Sequence, residues 1–319
     1  MLELCKTSKR LIDLSLSGKA RSSIYSLAIL MSEYLNCISS LRGLEGIQVP
    51  DKELYDLIRE EGLSYPKRKK PKIDGIVSQL KRKYLTILIK LSKTHYVDPI
   101  IIKVINRIRD LQVEALKAYA TTIIRTITRT KYRTIVHGRN SPFKYLFELG
   151  TTIHPIFGIP YIPASSLKGA LRSYLELTKR YEECNVKAID EIFGSSAEEL
   201  AHKSYIIVLD AYPKLSTTSP SLLLEPEVIT PIYADGTSKA PLMVPEHLSR
   251  PNPVVFPTIA RGLAFEFIFG LRGNVKKCKN IVLQWIQEVL RLGIGGKTTL
   301  GYGVLNVLNY EVYGIESWI

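Results

Sequence analysis

The chain has 319 residues, 45% of them hydrophobic and 23% charged, which is enough for one large domain or two ordinary ones. A formal net charge of +14 and a pI near 9.5 point to an acidic partner, with nucleic acid the commonest. No apolar run approaches the roughly 18 residues of a membrane span, and the opening MLELCKTSKR has no secretory h-region, so a soluble cytoplasmic protein without membrane partners is expected. Cys5, Cys37, Cys184 and Cys278 are scattered without CxxC or Cys/His spacing. Neither structural zinc nor a disulfide framework is therefore expected, and no cofactor.

Residues 1–118 read as a mainly helical region. Leu11, Leu14, Leu16, Ile24, Leu27, Leu30 and Leu35 recur at near-helical spacing, as do Ile76, Leu80, Leu85 and Ile89, then Ile101, Ile105, Ile108, Leu111 and Leu116. Between them YPKRKKPK (Tyr65–Lys72) is a basic, proline-framed segment, read as a solvated loop. The texture changes near residue 119. TTIIRTITRTKYRTIV (Thr121–Val136) is dominated by β-branched residues and reads as a strand. Side chains alternate with period two, so Arg125, Arg129, Lys131 and Arg133 share one face, interrupted by Ile127, and a row of threonines the other. A face this basic is costly to bury, and a polyanion accounts for it.

Further along, Tyr145–Ile153 reads as a strand, Ser165–Arg180 as a helix, and Ser204–Asp210 and Gly262–Leu271 as strands. Val275–Gly293 reads as an amphipathic helix and Gly303–Tyr313 as a last strand. The Pro/Ser/Thr-rich stretch 213–257 has little periodicity and reads as a large insertion. The pattern predicts an α+β fold, a ferredoxin-like or RRM-like unit occupying 119–319.

RLGIGGKTTLGYGV (Arg291–Val304) contains GKTT, but the nucleotide-binding P-loop requires a glycine five positions before Gly296, where Arg291 stands. That motif also joins a strand to a helix, whereas this loop joins a helix to a strand. Its content is Gly293, Gly295, Gly301 and Gly303 in a GxG-x5-GxG spacing, with Gly296 added. Glycine admits positive φ and close approach of a ligand, and successive N–H groups form an anion-binding concavity. Lys297 and the hydroxyls of Thr298 and Thr299 suit a ribose–phosphate backbone. A plain helix-to-strand turn needs one or two glycines, and five in eleven residues exceed that.

The second element is HPIFGIPYIPASSLKGALR (His154–Arg172). Ser165 or Ser166 is expected as the N-cap of a helix carrying Lys168 and Arg172 on one face, with Gly169 permitting close approach. A helix N-terminus with serine hydroxyls and a nearby lysine suits a phosphate.

Together, the GxG-x5-GxG loop and the P-x-S-S-x-K-G-x-x-R pattern of PYIPASSLKGALR resemble the RAMP superfamily of CRISPR proteins. With HPIFGIP before that pattern, VLDAYP (Val208–Pro213) and the PEVITPIYADGT…PNPVVFPTI insertion, the chain resembles subunits of type III-B (Cmr) effector complexes. The resemblance covers roughly residues 120–313. It implies an RRM-like core with long insertions and a grip on guide RNA, toward its 3′ part. It also implies assembly with other RAMP subunits of the backbone and head of the complex, and indirect contact with target RNA. The stretch Val136–Gly150, where the superfamily's backbone nuclease carries an aspartate, offers only Glu148, so binding without catalysis is expected. Two alternatives stand beside it: a guide-processing endoribonuclease with His137 as general base, and a protein–protein adaptor working through the helical third. Tyr132, Tyr161, Tyr233 and Tyr302 are candidates for stacking on unpaired bases.

Overall fold

A computed structural model describes residues 2–17, 24–40, 51–64, 72–92, 97–136, 143–147, 149–194, 203–216, 221–230 and 253–314. The chain divides into two compact units. The first is assembled from Met1–Ser92, Arg139–Ile159 and Pro226–Pro257, the second from Lys93–Gly138, Pro160–Glu225 and Thr258–Ile319.

The first unit is built on α1 (Leu2–Leu16), α2 (Ile24–Ser40), α3 (Asp51–Glu60) and α4 (Ile73–Leu91). Its core falls at helical spacing: Leu27, Met31, Leu35 and Ile38 on α2, and Ile76, Leu80, Tyr84 and Leu88 on α4. Among the described side chains of α1, Cys5 and Ile12 are buried while Leu11, Leu14 and Leu16 are exposed, so its core face is offset from the predicted one. The Glu61 carboxylate is buried at the centre of this unit. Lys83 Nζ approaches it at 2.7 Å, Lys9 Nζ at 3.1 Å, and the Tyr34 hydroxyl donates at 2.9 Å. Burial alone would raise the Glu61 carboxyl, but the Lys83 hydrogen bond and the Lys9 charge hold it below the ordinary carboxylate value.

Tyr145–Ile153 is not a strand. Phe143–Leu146 forms a helical turn, α6, because Phe143, Leu146 and Phe147 bury together at i, i+3 and i+4 and α6 packs on α2. Gly150 passes so close to Phe143 that a Cβ there would collide with it. The 213–257 stretch also carries more structure than predicted, since β4 (Leu224–Ile229) and β5 (Val254–Ile259) pair with each other. The basic segment 65–71, His137, Glu148 and Tyr233 lie outside the described residues.

The second unit centres on β1 (Thr122–Thr130), flanked antiparallel by β6 (Ala264–Leu271) and β7 (Leu305–Gly314). With β2 (Ile206–Val208) the order is β2-β6-β1-β7, and β3 (Tyr212–Pro213) pairs with β6 further along. The threonine face of β1 is the buried one, with Thr126 and Thr128 at 0% exposure, as alternation predicts. The strand ends at Thr130 rather than Val136, and pairing resumes as an isolated bridge from Thr134 to Ile259. On the other face α5 (Pro99–Lys117), capped by the Asp98 side chain, packs Val113 and Leu116 against Ile123 and Ile268. The α7 helix (Ala164–Thr178) packs on the short α8 (Ile189–Phe193) and on α9 (Lys279–Leu292), with α7 touching β2 and α9 touching β7. This is the predicted α+β fold with N-terminal helices and insertions.

The cysteines correct the sequence reading. Cys5 pairs with Cys37, and Cys184 with Cys278. The first joins α1 to α2, and the second joins the turn after α7 to the turn before α9. Separations of 32 and 94 residues carry no local signature, because only helix packing brings each pair together. No described helix is long and apolar enough to cross a membrane.

Candidate nucleic-acid interface

Four positions on or just beyond β1 make up the basic face that alternation predicts. Arg125 Nε donates to Glu266 Oε1 at 2.7 Å, and Glu311, directly across from it on β7, is 3.6 Å away. Glu266 is nearly fully buried, with Arg109 Nη1 at 3.6 Å as a second cation. Arg133 Nε donates to Glu225 at 3.0 Å, and Arg261 shares that carboxylate at 3.2 Å. Arg129 and Lys131 are exposed, the Lys131 ammonium 5.3 Å from the Tyr132 ring centre. Two of these four cations are thus balanced by carboxylates of the same unit.

The α7 helix begins one residue earlier than predicted. Pro163 is its N-cap and has no capping side chain, so Ser165 and Ser166 lie within the first turn. The cap comes from Asp210, whose Oδ1 accepts from Ala164 N at 2.7 Å while its carbonyl accepts from Gln112 at 3.1 Å. Tyr161 and Tyr212 stack beside it with ring centres 5.9 Å apart; burial and the Asp210 charge push the Tyr212 phenol up to about 12. Lys168 is half-buried and its ammonium is lowered by burial and by Arg172. Arg172 is held by Glu176 at 2.8 Å and Asp190 at 2.9 Å. A Cβ on Gly169 would meet nothing within 4 Å, so this glycine faces open space.

The glycine loop joins α9 to β7, as its placement predicts, through a short 3-10 turn at Thr298–Leu300. Gly293, Gly295, Gly301 and Gly303 all have positive φ, as does Lys297 at 58°. Their reasons differ. A Cβ on Gly295 would collide with the Ile135 carbonyl oxygen and one on Gly303 with that of Ile294, so these two admit the chain's own backbone. Gly301 has nothing within 4 Å. Hydrogen bonds from Gly296 N to Ile135 O (2.8 Å) and Gly303 N to Arg133 O (3.0 Å) fasten the loop to the segment after β1.

The two motifs meet. Ser165, Ser166 and Gly169 on α7 and Gly293, Gly295 and Thr298 on the loop line a single open groove of about 720 Å³. Sequence reasoning missed Ser173, Tyr174, Leu177, Thr178 and Leu292, which also line it. Helical spacing from Ser165 and Gly169 was the available signal for Ser173. Asp210 had none, lying 46 residues from the amide it caps. Lys168, Arg172, Gly296, Lys297, Gly301 and Gly303 are not among the lining residues. His154 stacks on Phe157 at 4.3 Å and accepts from the amides of Ile156 and Phe157, which accounts for it structurally. Among the described residues, no group of three or more His, Cys, Asp or Glu is placed to hold a metal ion.

Residues 129–306 match the RAMP superfamily. Over 202 residues the chain is 31% identical to the CRISPR system CMR subunit Cmr6 of Saccharolobus solfataricus, covering 62% of this chain and 63% of that protein. The match therefore spans just under two thirds of that relative's length. Identity to the CRISPR system Cms endoribonuclease Csm3 of Methanothermobacter thermautotrophicus is 27% over 179 residues, covering 50% of this chain and 71% of that protein. A chain in the cryo-EM structure of the type III-B Cmr-beta bound to cognate target RNA superposes with a TM-score of 0.71 at 25% identity, covering 98% of this chain and 99% of that one.

Proposed function

The chain belongs to the RAMP superfamily, and from that premise we propose that it is a non-catalytic, RNA-binding subunit of a type III-B (Cmr) CRISPR ribonucleoprotein. In this reading it holds guide RNA, toward the 3′ part, caps the backbone filament beside other RAMP subunits, and serves antiviral defence without cutting. The observation that carries it is the shared groove: two motifs more than a hundred residues apart in sequence line the same surface. The likeness to a chain of an RNA-bound Cmr-beta assembly over nearly the whole length supports the same setting. Ser165, Ser166, Thr298 and the glycine backbone supply hydrogen bonds, while the exposed Lys297, Lys131 and Arg129, with half-buried Lys168, supply the positive field around them.

Gly169 gives the cleanest test. Open space around it means that a larger side chain enters the groove and not the core, and leucine is a better helix former than glycine. Gly169→Leu in the full chain is expected to keep or raise the thermal midpoint while weakening guide-RNA binding at least about tenfold in fluorescence anisotropy. Unchanged binding would remove the groove from the RNA path. Incubation of the full chain with repeat-containing precursor RNA, with and without EDTA, tests the rest of the reading. Specific cleavage would overturn the non-catalytic assignment.

A further inference from the structure

The described lining of the groove is uncharged. Among the described residues that line it, none is Lys, Arg, Asp or Glu, and Ser165, Ser166, Ser173 and Thr298 present aliphatic hydroxyls along it. Two features that would ordinarily hold a phosphate, the start of α7 and Arg172, are engaged by the protein itself. Asp210 Oδ1 sits 2.7 Å from the first amide of α7, so a second anion at that helix end meets a carboxylate. Arg172, on α7 outside the groove, is bridged to Glu176 and Asp190. What the described residues present to the groove is neutral hydrogen-bonding chemistry. A phosphate oxygen only accepts, whereas a serine or threonine hydroxyl both donates and accepts, and so does the ribose 2′-hydroxyl. The glycines in both walls let a sugar approach closely enough to use it.

Resting on the RNA-binding reading of this groove, we propose that it reads ribose rather than phosphate. Ser165, Ser166, Ser173 and Thr298 exchange hydrogen bonds with 2′-hydroxyls, so that the subunit distinguishes RNA from DNA at the nucleotides lying in the groove. The charged residues outside the groove supply sequence-independent attraction that RNA and DNA share.

The test compares three strands of one guide sequence against the full chain at fixed salt: RNA, DNA and 2′-fluoro RNA. The fluoro strand keeps the ribo-type sugar shape and lacks the donor. RNA is expected to bind about 10–100-fold more tightly than either analogue, with the same dependence of log K on log salt for all three. In the triple variant Ser166→Ala/Ser173→Ala/Thr298→Val this preference is expected to shrink to within about threefold. Ser173→Ala alone, at an exposed helical position, is expected to lose part of it, and keeps the test readable if the triple variant folds poorly. Equal binding of all three strands overturns the ribose assignment and leaves RNA binding intact. A preference that survives undiminished in both variants also overturns it. Failure of the wild-type chain to bind RNA at all overturns the groove's RNA reading and this inference with it.

Discussion

Gly303 and Gly301 lie in the same loop, both with positive φ (74° and 87°), yet their replacement by alanine should differ several-fold in cost. Each substitution places a Cβ in the left-handed region, worth about 1 kcal/mol. At Gly301 the cost ends there, because the new Cβ meets nothing within 4 Å. At Gly303 it would strike the carbonyl oxygen of Ile294, which belongs to the opposite limb of the loop. Relieving that clash pulls apart two hydrogen bonds, Ile294 N to Gly303 O at 3.1 Å and Gly303 N to Arg133 O at 3.0 Å. At about 0.5–1.5 kcal/mol each, they bring the expected loss to about 2–4 kcal/mol. Urea titration followed by tryptophan fluorescence reads the difference, since Trp285 is fully buried on α9 in the same unit. Equal losses in the two variants, or a Gly303→Ala cost below about 1 kcal/mol, would refute the division of the glycines into backbone-packing and open positions.

Two further outcomes follow from buried groups. The Glu61 carboxyl titrates below its ordinary value of 4.5, so the unfolded chain takes up this proton first. Its stabilisation is fully present above about pH 4.5 and is lost as pH falls through the folded-state value; Glu61→Gln should flatten that acid limb in urea midpoints measured from about pH 3 to pH 7, and an unchanged limb would count against it. Alkylation and mass spectrometry should find no free thiol before reduction and all four cysteines free after it, and loss of Cys184–Cys278, which spans 94 residues, should lower stability by about 4–5 kcal/mol. Free thiols at the outset, or an unshifted melting midpoint on reduction, would contradict the pairing.

Features written in short-range pattern were legible in the chain. The alternating threonines of β1 marked its buried face, and the glycine loop was placed between a helix and a last strand by its flanks. Features made by tertiary approach were not. Nothing near Ser165 signals that Asp210 will cap the helix, and nothing near Cys184 signals Cys278. The basic face of β1 was visible, but the carboxylates answering Arg125 are on β6 and β7, at positions set only by strand register. The run Tyr145–Ile153 misled because β-branched residues at its end suggested a strand, while Phe143, Leu146 and Phe147 buried with helical spacing. The glycines of the loop exceed what a turn needs, but the chain's own carbonyls, not a ligand, require Gly295 and Gly303.

The helical unit is written in three separate stretches, Met1–Ser92, Arg139–Ile159 and Pro226–Pro257, so the backbone leaves or enters it five times. Trimming the chain at Ser92 does not excise it, since Phe143, Leu146 and Phe147, all fully buried, would stay behind with the remainder, and α2 would lose the turn that packs on it. An insertion joined at one seam can be gained or lost in a single genetic event, but a unit threaded this way cannot. Its helices and the unit that carries the groove are therefore inherited together.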